Sequence, residues 1–253
     1  MSAAALKHEL EKLGFRETVF GRCRLYLAPE LAGQASSIDR HLQRLDRRRE
    51  PASGNRRSAF AVQLDGLPPM FMRRYRRGGM IRFLVSDLYL GEAPRPLQEL
   101  AVTATARKRG LPLAEPLGAA VQWLAPGLYR GWFLTRALDG QTLWDLLLNE
   151  TDQATRRQAL EQARVSIDRL HDGGLYHADL NFQNLFVCRG TTPPDVVALD
   201  LDKARLHPDP LPAALRRTNF ARLDRSARKL ISAGAILTDQ ERAIFDLGRR
   251  GAK

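Results

Sequence analysis

The segment from residue 152 to residue 200 constrains the fold more than any other part of the chain. Over 152–172, apolar residues recur at spacings of three and four, which predicts a long amphipathic helix. Two glycines at 173–174 end this helix, and two short apolar runs, 185–187 and 196–199, then predict a β-hairpin. A long helix, a polar loop and a hairpin therefore form the centre of the C-terminal half.

The polar loop between that helix and that hairpin, residues 177–184, carries the side chains best suited to chemistry. Asp179 and Asn184 come from this one loop, and Asp200 directly follows the second apolar run. Two carboxylates and an amide oxygen make a donor set of oxygens only, which suits Mg²⁺ bridging phosphates and does not suit zinc or copper. We therefore predict Asp179 as the base of a phosphoryl transfer, and Asn184 and Asp200 as metal ligands.

The spacing within this loop is that of the kinase catalytic loop. Asn184 follows Asp179 by five positions, and His177 precedes it at the matching place. Ala178 stands where many kinases have arginine. A His-x-Asp motif alone is weak, and Asn is often only a turn former. The concurrence of helix, motif, hairpin and strand-end aspartate favours a kinase, with His177 as a structural, hydrogen-bonded residue.

The N-terminal half predicts an antiparallel sheet with one helix. Its predicted elements are the strands 58–64, 70–75, 118–124 and 129–138 and the helix 96–109. Residues 40–57 predict a basic loop, because they are polar and contain proline and glycine. The chain beyond about 210 predicts mainly helix. We thus expect an α+β, bilobal, protein-kinase-like fold, with an N-terminal lobe at 1–138 and a helical catalytic lobe at 139–253 that together form one kinase-like domain.

A nucleotide site also needs a cation for the phosphates. Arg73 follows an apolar strand at the position where many kinases place lysine, and Glu99 on the next helix is its predicted partner. Arg74 is the rival candidate, but strand alternation directs it to the opposite face. A full glycine-rich motif is absent, so Gly54 is the candidate to cover the nucleotide.

The formal net charge of +12 favours partners that are polyanionic, such as nucleic acid, anionic lipid or phosphorylated substrates. Aromatic residues make up only 7% and do not alternate with the basic runs, which argues against a single-strand nucleic-acid surface. The two cysteines, Cys23 and Cys188, form no metal-ligand pattern. No run of about 18 apolar residues is present, and we expect a cytoplasmic protein.

The chain resembles the Kdo (3-deoxy-D-manno-octulosonic acid) kinase family of Gram-negative bacteria, within the Kdo/heptose lipopolysaccharide kinase group. The resemblance covers about residues 50–232. Its most discriminating motifs are Arg-Tyr-Arg-Arg-Gly-Gly at 74–79 and Asn-Phe-Ala-Arg-Leu-Asp-Arg-Ser at 219–226. Further matching segments are 86–89, 96–100, 110–116, 177–184 and 198–206.

The resemblance implies transfer of the ATP γ-phosphate, with Mg²⁺, to the 4-hydroxyl of Kdo on a lipid A precursor. It also implies a peripheral enzyme at the cytoplasmic face of the inner membrane. An anionic membrane surface suits the basic chain, and no nucleic acid and no obligate protein partner are expected. Acidic acceptor binding is assigned to Arg76, Arg77, Gly78 and Gly79.

Three alternatives stay open on the sequence. A heptose kinase or a kinase of another small alcohol keeps the Asp-Asn-Asp set without needing the basic glycine motif. A basic nucleic-acid-binding module explains the charge but gives the Asp-Asn-Asp set no role. A non-catalytic kinase relative explains the missing glycine motif but not the intact metal set. A protein kinase is disfavoured, since no clear activation segment follows Asp200.

Overall fold

The computed structural model describes residues 3–47, 59–76 and 87–245. The chain divides into two compact units. The first consists of Met1–Ala104 and Glu115–Ala137, and the second of Thr105–Ala114 and Leu138–Lys253.

The first unit is built on an antiparallel sheet with helices. In chain order its elements are α1 (Ala3–Lys12), β1 (Arg16–Phe20), β2 (Cys23–Leu27), a 3₁₀ helix (Pro29–Gln34), α2 (Ala35–Arg47), β3 (Ala59–Val62), β4 (Met70–Arg74), β5 (Tyr89–Leu90), α3 (Arg95–Lys108), β6 (Pro116–Ala125) and β7 (Leu128–Arg136). The strand order is β1-β2-β6-β7-β4-β3, with β5 added to β7.

The four strands predicted for this unit are present and pair as two hairpins. β3 pairs with β4 so that Ala59 lies opposite Arg73, and β6 pairs with β7 along most of its length. The helix predicted at 96–109 is present as α3, which spans Arg95–Lys108. The expectation of a loop over 40–57 is wrong for residues 40–47, which continue α2 because Ile38 and Leu42 bury one of its faces.

Strand alternation gives the sheet two apolar faces. On β2, Leu25 and Leu27 pack with Ile38 of α2, whereas Tyr26 between them packs into the other cluster. That second cluster includes Leu100 of α3. Successive side chains of a strand point to opposite faces, so each face can cover its own set of helices.

The second unit contains the remaining elements. They are β8 (Gly140–Thr142), α4 (Leu143–Asn149), α5 (Gln153–Asp172), β9 (Leu175–Tyr176), a 3₁₀ helix (Phe182–Asn184), β10 (Leu185–Cys188), β11 (Val196–Ala198), β12 (Arg205–Leu206), α6 (Ala213–Ser232) and α7 (Asp239–Ile244). The strands form a sheet of order β11-β10-β8 and the pair β12-β9.

Helix α5 confirms the long helix predicted at 152–172. The side chain of Asp152 accepts a hydrogen bond from the backbone N–H of Thr155 at 2.9 Å and so caps its first turn. Leu160, Ile167 and Leu170 are buried on one face. The helix ends at Gly173, and Gly174 follows with φ of +78°. A Cβ at Gly174 would lie 2.5 Å from the carbonyl oxygen of His207, so no larger residue fits there without a shift.

The predicted hairpin of the second unit is β10 and β11, in which Leu185 pairs with Ala198. The described part of this unit has four α-helices, α4 to α7, and five short strands, so most of its ordered residues are helical and the α+β prediction is confirmed. Across the described ranges, no helix is long and apolar enough to cross a membrane.

Candidate active site

The loop after β9 is shaped by the side chain of Asn181. Its Oδ1 accepts hydrogen bonds from the backbone N–H groups of Gln183 and Asn184, at 2.9 and 3.2 Å, and so caps the short 3₁₀ helix. Its Nδ2 donates to the carbonyl oxygen of Asp179 at 2.9 Å. A single amide therefore holds both ends of the stretch from Asp179 to Asn184.

Asn184 is turned towards Asp179. Its Nδ2 donates to the carbonyl oxygen of Asp179 at 2.8 Å and lies 3.5 Å from the Oδ2 of the same residue. Since the amide nitrogen is used in this way, the amide oxygen of Asn184 is the atom available to a cation. The Asp179 side chain is exposed, so its carboxylate can be reached by a substrate.

Asp200 stands just past the end of β11 with φ of +57°, in the left-handed region that residues other than glycine rarely adopt. Its Oδ1 lies 3.4 Å from the backbone nitrogen of Asp202. The backbone N–H of Leu199 donates to the carbonyl oxygen of Asn184 at 2.9 Å, which fastens the strand end to the loop. The uncommon backbone conformation at a strand end marks Asp200 as a position where geometry is held by its surroundings.

His177 joins the loop to the strand end a second time. Its Nε2 lies 2.9 Å from the carbonyl oxygen of Leu199, and its Nδ1 accepts a hydrogen bond from the backbone N–H of Asp179 at 3.1 Å. This pattern assigns the neutral tautomer with the proton on Nε2. Burial lowers the pKa of His177, which keeps the ring neutral. The predicted structural role of His177 therefore agrees with its contacts.

Two polar side chains of helix α6 hold this loop through hydrogen bonds to its backbone. The fully buried Asn219 donates from Nδ2 to the carbonyl oxygen of His177 at 2.7 Å, and its Oδ1 lies 3.1 Å from the Nε2 of His171. The Oγ of Ser226 accepts from the backbone N–H of Phe182 at 3.1 Å. Both residues lie at the ends of the 219–226 motif, but the sequence alone assigns neither of them a role. The available signal was two polar residues seven positions apart on a helix face that also holds Leu223 and Leu230.

In the first unit, Arg73 and Glu99 form the expected ion pair. Arg73 Nη2 lies 2.7 Å from Oε1 and 2.5 Å from Oε2 of Glu99, a side chain that is almost fully buried. The hydroxyl of Tyr75 also donates to Glu99, and the Arg73 guanidinium lies 4.7 Å from the centre of the Tyr75 ring. Arg74 turns to the other face, over the ring of Trp132, as strand alternation predicts.

Of the other predicted binding residues, only one lies within the part of the chain that the structure describes. Gly54, Arg77, Gly78 and Gly79 are outside the described residues. Arg76 is described, and it is exposed just after β4. Their assigned roles in nucleotide and acceptor binding stay predictions.

The side chains of Asn184 and Asp200 offer oxygen donors of the type that Mg²⁺ prefers. Within the described ranges there is no group of three or more His, Cys, Asp or Glu side chains placed to bind a metal. Mg²⁺ needs no such cage, because it is commonly bound by one or two carboxylates together with substrate phosphates and water. One carboxylate, from Asp200, and the amide oxygen of Asn184 match that donor set.

Known proteins similar to this chain are found both by sequence and by structure. A family model described as the lipopolysaccharide kinase (Kdo/WaaP) family matches residues 41–243. A 3-deoxy-D-manno-octulosonic acid kinase of Xylella fastidiosa (strain 9a5c) is 32% identical over 199 residues, covering 76% of this chain and 75% of that protein. One of Xanthomonas campestris pv. campestris (strain B100) is 33% identical over 190 residues, covering 73% of this chain and 72% of that protein. Among solved structures, "WaaP in complex with acyl carrier protein" is 15% identical, with a TM-score of 0.49 over 74% of this chain and 71% of that chain.

Proposed function

Because the chain belongs to the lipopolysaccharide kinase (Kdo/WaaP) family, we propose that it transfers the γ-phosphate of ATP to the 4-hydroxyl of Kdo on a lipid A precursor. The family resemblance drawn from the sequence is confirmed, and the chain is a kinase of that group. We propose, beyond the family, which acceptor and which nucleotide the chain uses and what each site residue does.

One observation carries the mechanism: the loop with Asp179 and Asn184 is fastened to the strand end before Asp200 by the ring of His177. The exposed Asp179 carboxylate accepts the proton of the sugar hydroxyl and orients its oxygen towards the γ-phosphorus. As the new oxygen–phosphorus bond forms, the bond from the γ-phosphorus to the bridging oxygen breaks and ADP leaves. Neutral His177 takes no proton in this scheme and instead holds the Asp179 backbone in place.

Mg²⁺, when bound with ATP, would supply positive charge that neutralises the phosphate oxygens. Asn184 and Asp200 would hold it through an amide oxygen and a carboxylate. The hydrogen bond from Asn184 Nδ2 to the Asp179 carbonyl oxygen fixes which atom of that amide is offered to the metal.

Arg73 is assigned the role of the cation that binds the nucleotide phosphates. Its guanidinium is oriented by the buried carboxylate of Glu99, which Tyr75 also holds. Arginine can bind phosphate oxygens through two parallel hydrogen bonds, which lysine cannot do. Gly54 is proposed to cover the nucleotide, and the segment of Arg76, Arg77, Gly78 and Gly79 to contact the acidic acceptor.

Because the proposed acceptor is a membrane lipid, we propose that the enzyme works as a peripheral protein at the cytoplasmic face of the inner membrane. A net charge of +12 suits an anionic lipid surface. Each Lys or Arg near such a surface contributes about 1 kcal/mol of attraction, so a few of them suffice for reversible association.

The test is transfer of labelled γ-phosphate from ATP to a Kdo-bearing lipid A precursor, and separately to a heptosylated lipid acceptor, by the native chain and by Asp179→Asn. Loss of a general base lowers the rate by about 10²–10⁴-fold. Asp209→Asn, an exposed aspartate of the same unit without a side-chain partner among the described residues, serves as the matched control and should keep the native rate. Full activity in Asp179→Asn removes that residue from the mechanism, and transfer only to a heptosylated acceptor makes the chain a heptose kinase.

A further inference from the structure

The turn of α6 that braces the catalytic loop also carries a guanidinium, that of Arg222, directed at β9, the strand that leads into the loop. Arg222 lies three residues after Asn219, on the same side of the helix. Its Nη2 donates to the hydroxyl of Tyr176 at 3.0 Å. Tyr176 lies three residues before Asp179 in the chain, so Arg222 is held against the segment that leads into the proposed base.

Arg222 has no carboxylate partner in the described part of the chain. It is half-buried, and its Nε is buried without a hydrogen-bond partner among those residues. A guanidinium partly removed from water and without a counter-ion favours the arrival of an anion. Its charge also reaches the catalytic loop: burial is the main cause that lowers the pKa of His177, and the positive charge of Arg222 lowers it further.

A second guanidinium lies on the same face. Arg205 of β12 pairs directly with Tyr176 of β9, and side chains directly opposite each other in an antiparallel pair share one face. Arg205 is exposed and makes no ion pair with any described residue. Tyr176 therefore stands beside two arginines, neither of which is neutralised by the described residues.

We propose that Arg222, Tyr176 and Arg205 bind the carboxylate of the acceptor sugar, so that this site selects a sugar acid over a neutral sugar. This inference rests on the proposed function. Arg222 keeps N–H groups that Tyr176 does not use, and they match the planar geometry of a carboxylate. The Tyr176 oxygen accepts from Arg222, which leaves its own O–H proton free to donate to the same anion.

The selectivity follows from the cost of leaving a charged group unpaired. A sugar acid completes the hydrogen bonds of the partly buried Arg222. A neutral sugar such as heptose has no group that does so, and it leaves the guanidinium partly desolvated without a counter-ion. The site therefore discriminates through an interaction that only one class of acceptor can make.

The experiment compares two acceptors, a Kdo-bearing lipid A precursor and the same lipid with the Kdo carboxylate converted to its methyl ester. KM for each is measured with the native chain, Arg222→Gln and the control Arg225→Gln, which changes an exposed arginine of the same helix. A charge-assisted hydrogen bond is worth about 1.5–3 kcal/mol, so Arg222→Gln should raise KM for the acid about 10- to 150-fold. KM for the ester and for ATP should change little, and Arg222→Lys should recover part of the loss.

The possible results distinguish failure of the proposed function from failure of the proposed carboxylate site. A native chain that phosphorylates neither acceptor overturns the proposed function and this inference with it. A native chain that is active while Arg222→Gln raises KM equally for acid and ester overturns this inference and leaves the function standing. Repeating the comparison with a dephosphorylated lipid should keep the acid-specific effect, and its disappearance there would assign Arg222 to a lipid phosphate instead.

Folding of the variants is checked by urea denaturation. If Arg222→Gln does not fold, Tyr176→Phe and Arg205→Gln are measured with the same pair of acceptors. Each should lower the preference for the acid over the ester, and an unchanged preference in both contradicts the site.

Discussion

Replacing Asn219 by alanine should uncouple helix α6 from the catalytic loop. Asn219 is fully buried, and both ends of its amide are used: Nδ2 donates to the His177 carbonyl oxygen at 2.7 Å, and Oδ1 lies 3.1 Å from His171 Nε2. His171 Nδ1 has no partner among the described residues. Asn219→Ala therefore leaves one buried carbonyl group and one buried imidazole without a side-chain partner at the same time.

The magnitude follows from those two groups. A buried polar group that loses its hydrogen bond costs about 1–3 kcal/mol, so Asn219→Ala should lower the free energy of unfolding by roughly 2–6 kcal/mol. Natural domains are stable by about 5–15 kcal/mol, so the variant should still fold at low temperature unless the loss is near 6 kcal/mol and the native stability near 5 kcal/mol. Since the lost bond holds the residue two positions before Asp179, the rate of phosphoryl transfer should fall as well, even where the variant is fully folded.

The assay is urea denaturation followed by circular dichroism, with Thr218→Ala as the control. Thr218 is the exposed neighbour on the same helix, and its hydroxyl donates to the carbonyl oxygen of Ala214 at 3.0 Å. The control should differ from the native chain by less than about 0.5 kcal/mol, as is usual for exposed positions. If Asn219→Ala is as stable as Thr218→Ala, α6 does not brace the loop, and the reasoning from buried hydrogen bonds fails.

Two further predictions concern stability. Burial lowers the pKa of both His171 and His177, so below about pH 6.5 the unfolded chain takes up protons that the folded chain does not, and the free energy of unfolding falls by up to about 1.4 kcal/mol per pH unit for each histidine. Denaturation at pH 7.5 and 5.5 measures this, and equal stability at the two values contradicts it. Glu241→Ala leaves the buried guanidinium of Arg156 without the carboxylate 2.7 Å from its Nε, and should cost about 3–5 kcal/mol. Arg157→Ala, which removes an exposed pair on the same helix, should change the melting temperature little, and a similar loss in both variants would refute the distinction between buried and exposed pairs.

Helices and strands could be predicted from the sequence where their apolar residues recur over many positions. The helix ending at Gly173 and the hairpin formed by β10 and β11 were predicted because their apolar residues recur over enough positions to define a period. β9 and β12 have two residues each, too few to show an alternation. β1 has no buried residue, so its sequence shows no apolar alternation that would predict a strand. Its pairing with β2 is what places it in the sheet.

The candidate site likewise contains residues that local spacing in the sequence predicts and residues that act only through contacts between distant segments. Asp179, Asn184 and Asp200 could be proposed as site residues from the sequence, because a kinase catalytic loop keeps a fixed spacing between its aspartate and its asparagine and lies between a helix and a strand end. Asn219 and Arg222 could not be assigned, because their roles depend on a helix some forty residues later in the chain packing against the loop. A single sequence contains the side chains but not that contact.

The central claim is that Asp179 activates the 4-hydroxyl of Kdo. Its most direct measurement is nuclear magnetic resonance of the product made by the native chain from ATP and a Kdo-bearing lipid A precursor, in which phosphorus couples to the proton on the phosphorylated carbon. We predict coupling at C4 of Kdo with the native chain and unmodified acceptor with Asp179→Asn. Phosphate at any other hydroxyl, or the same product at an undiminished rate from Asp179→Asn, would contradict the claim.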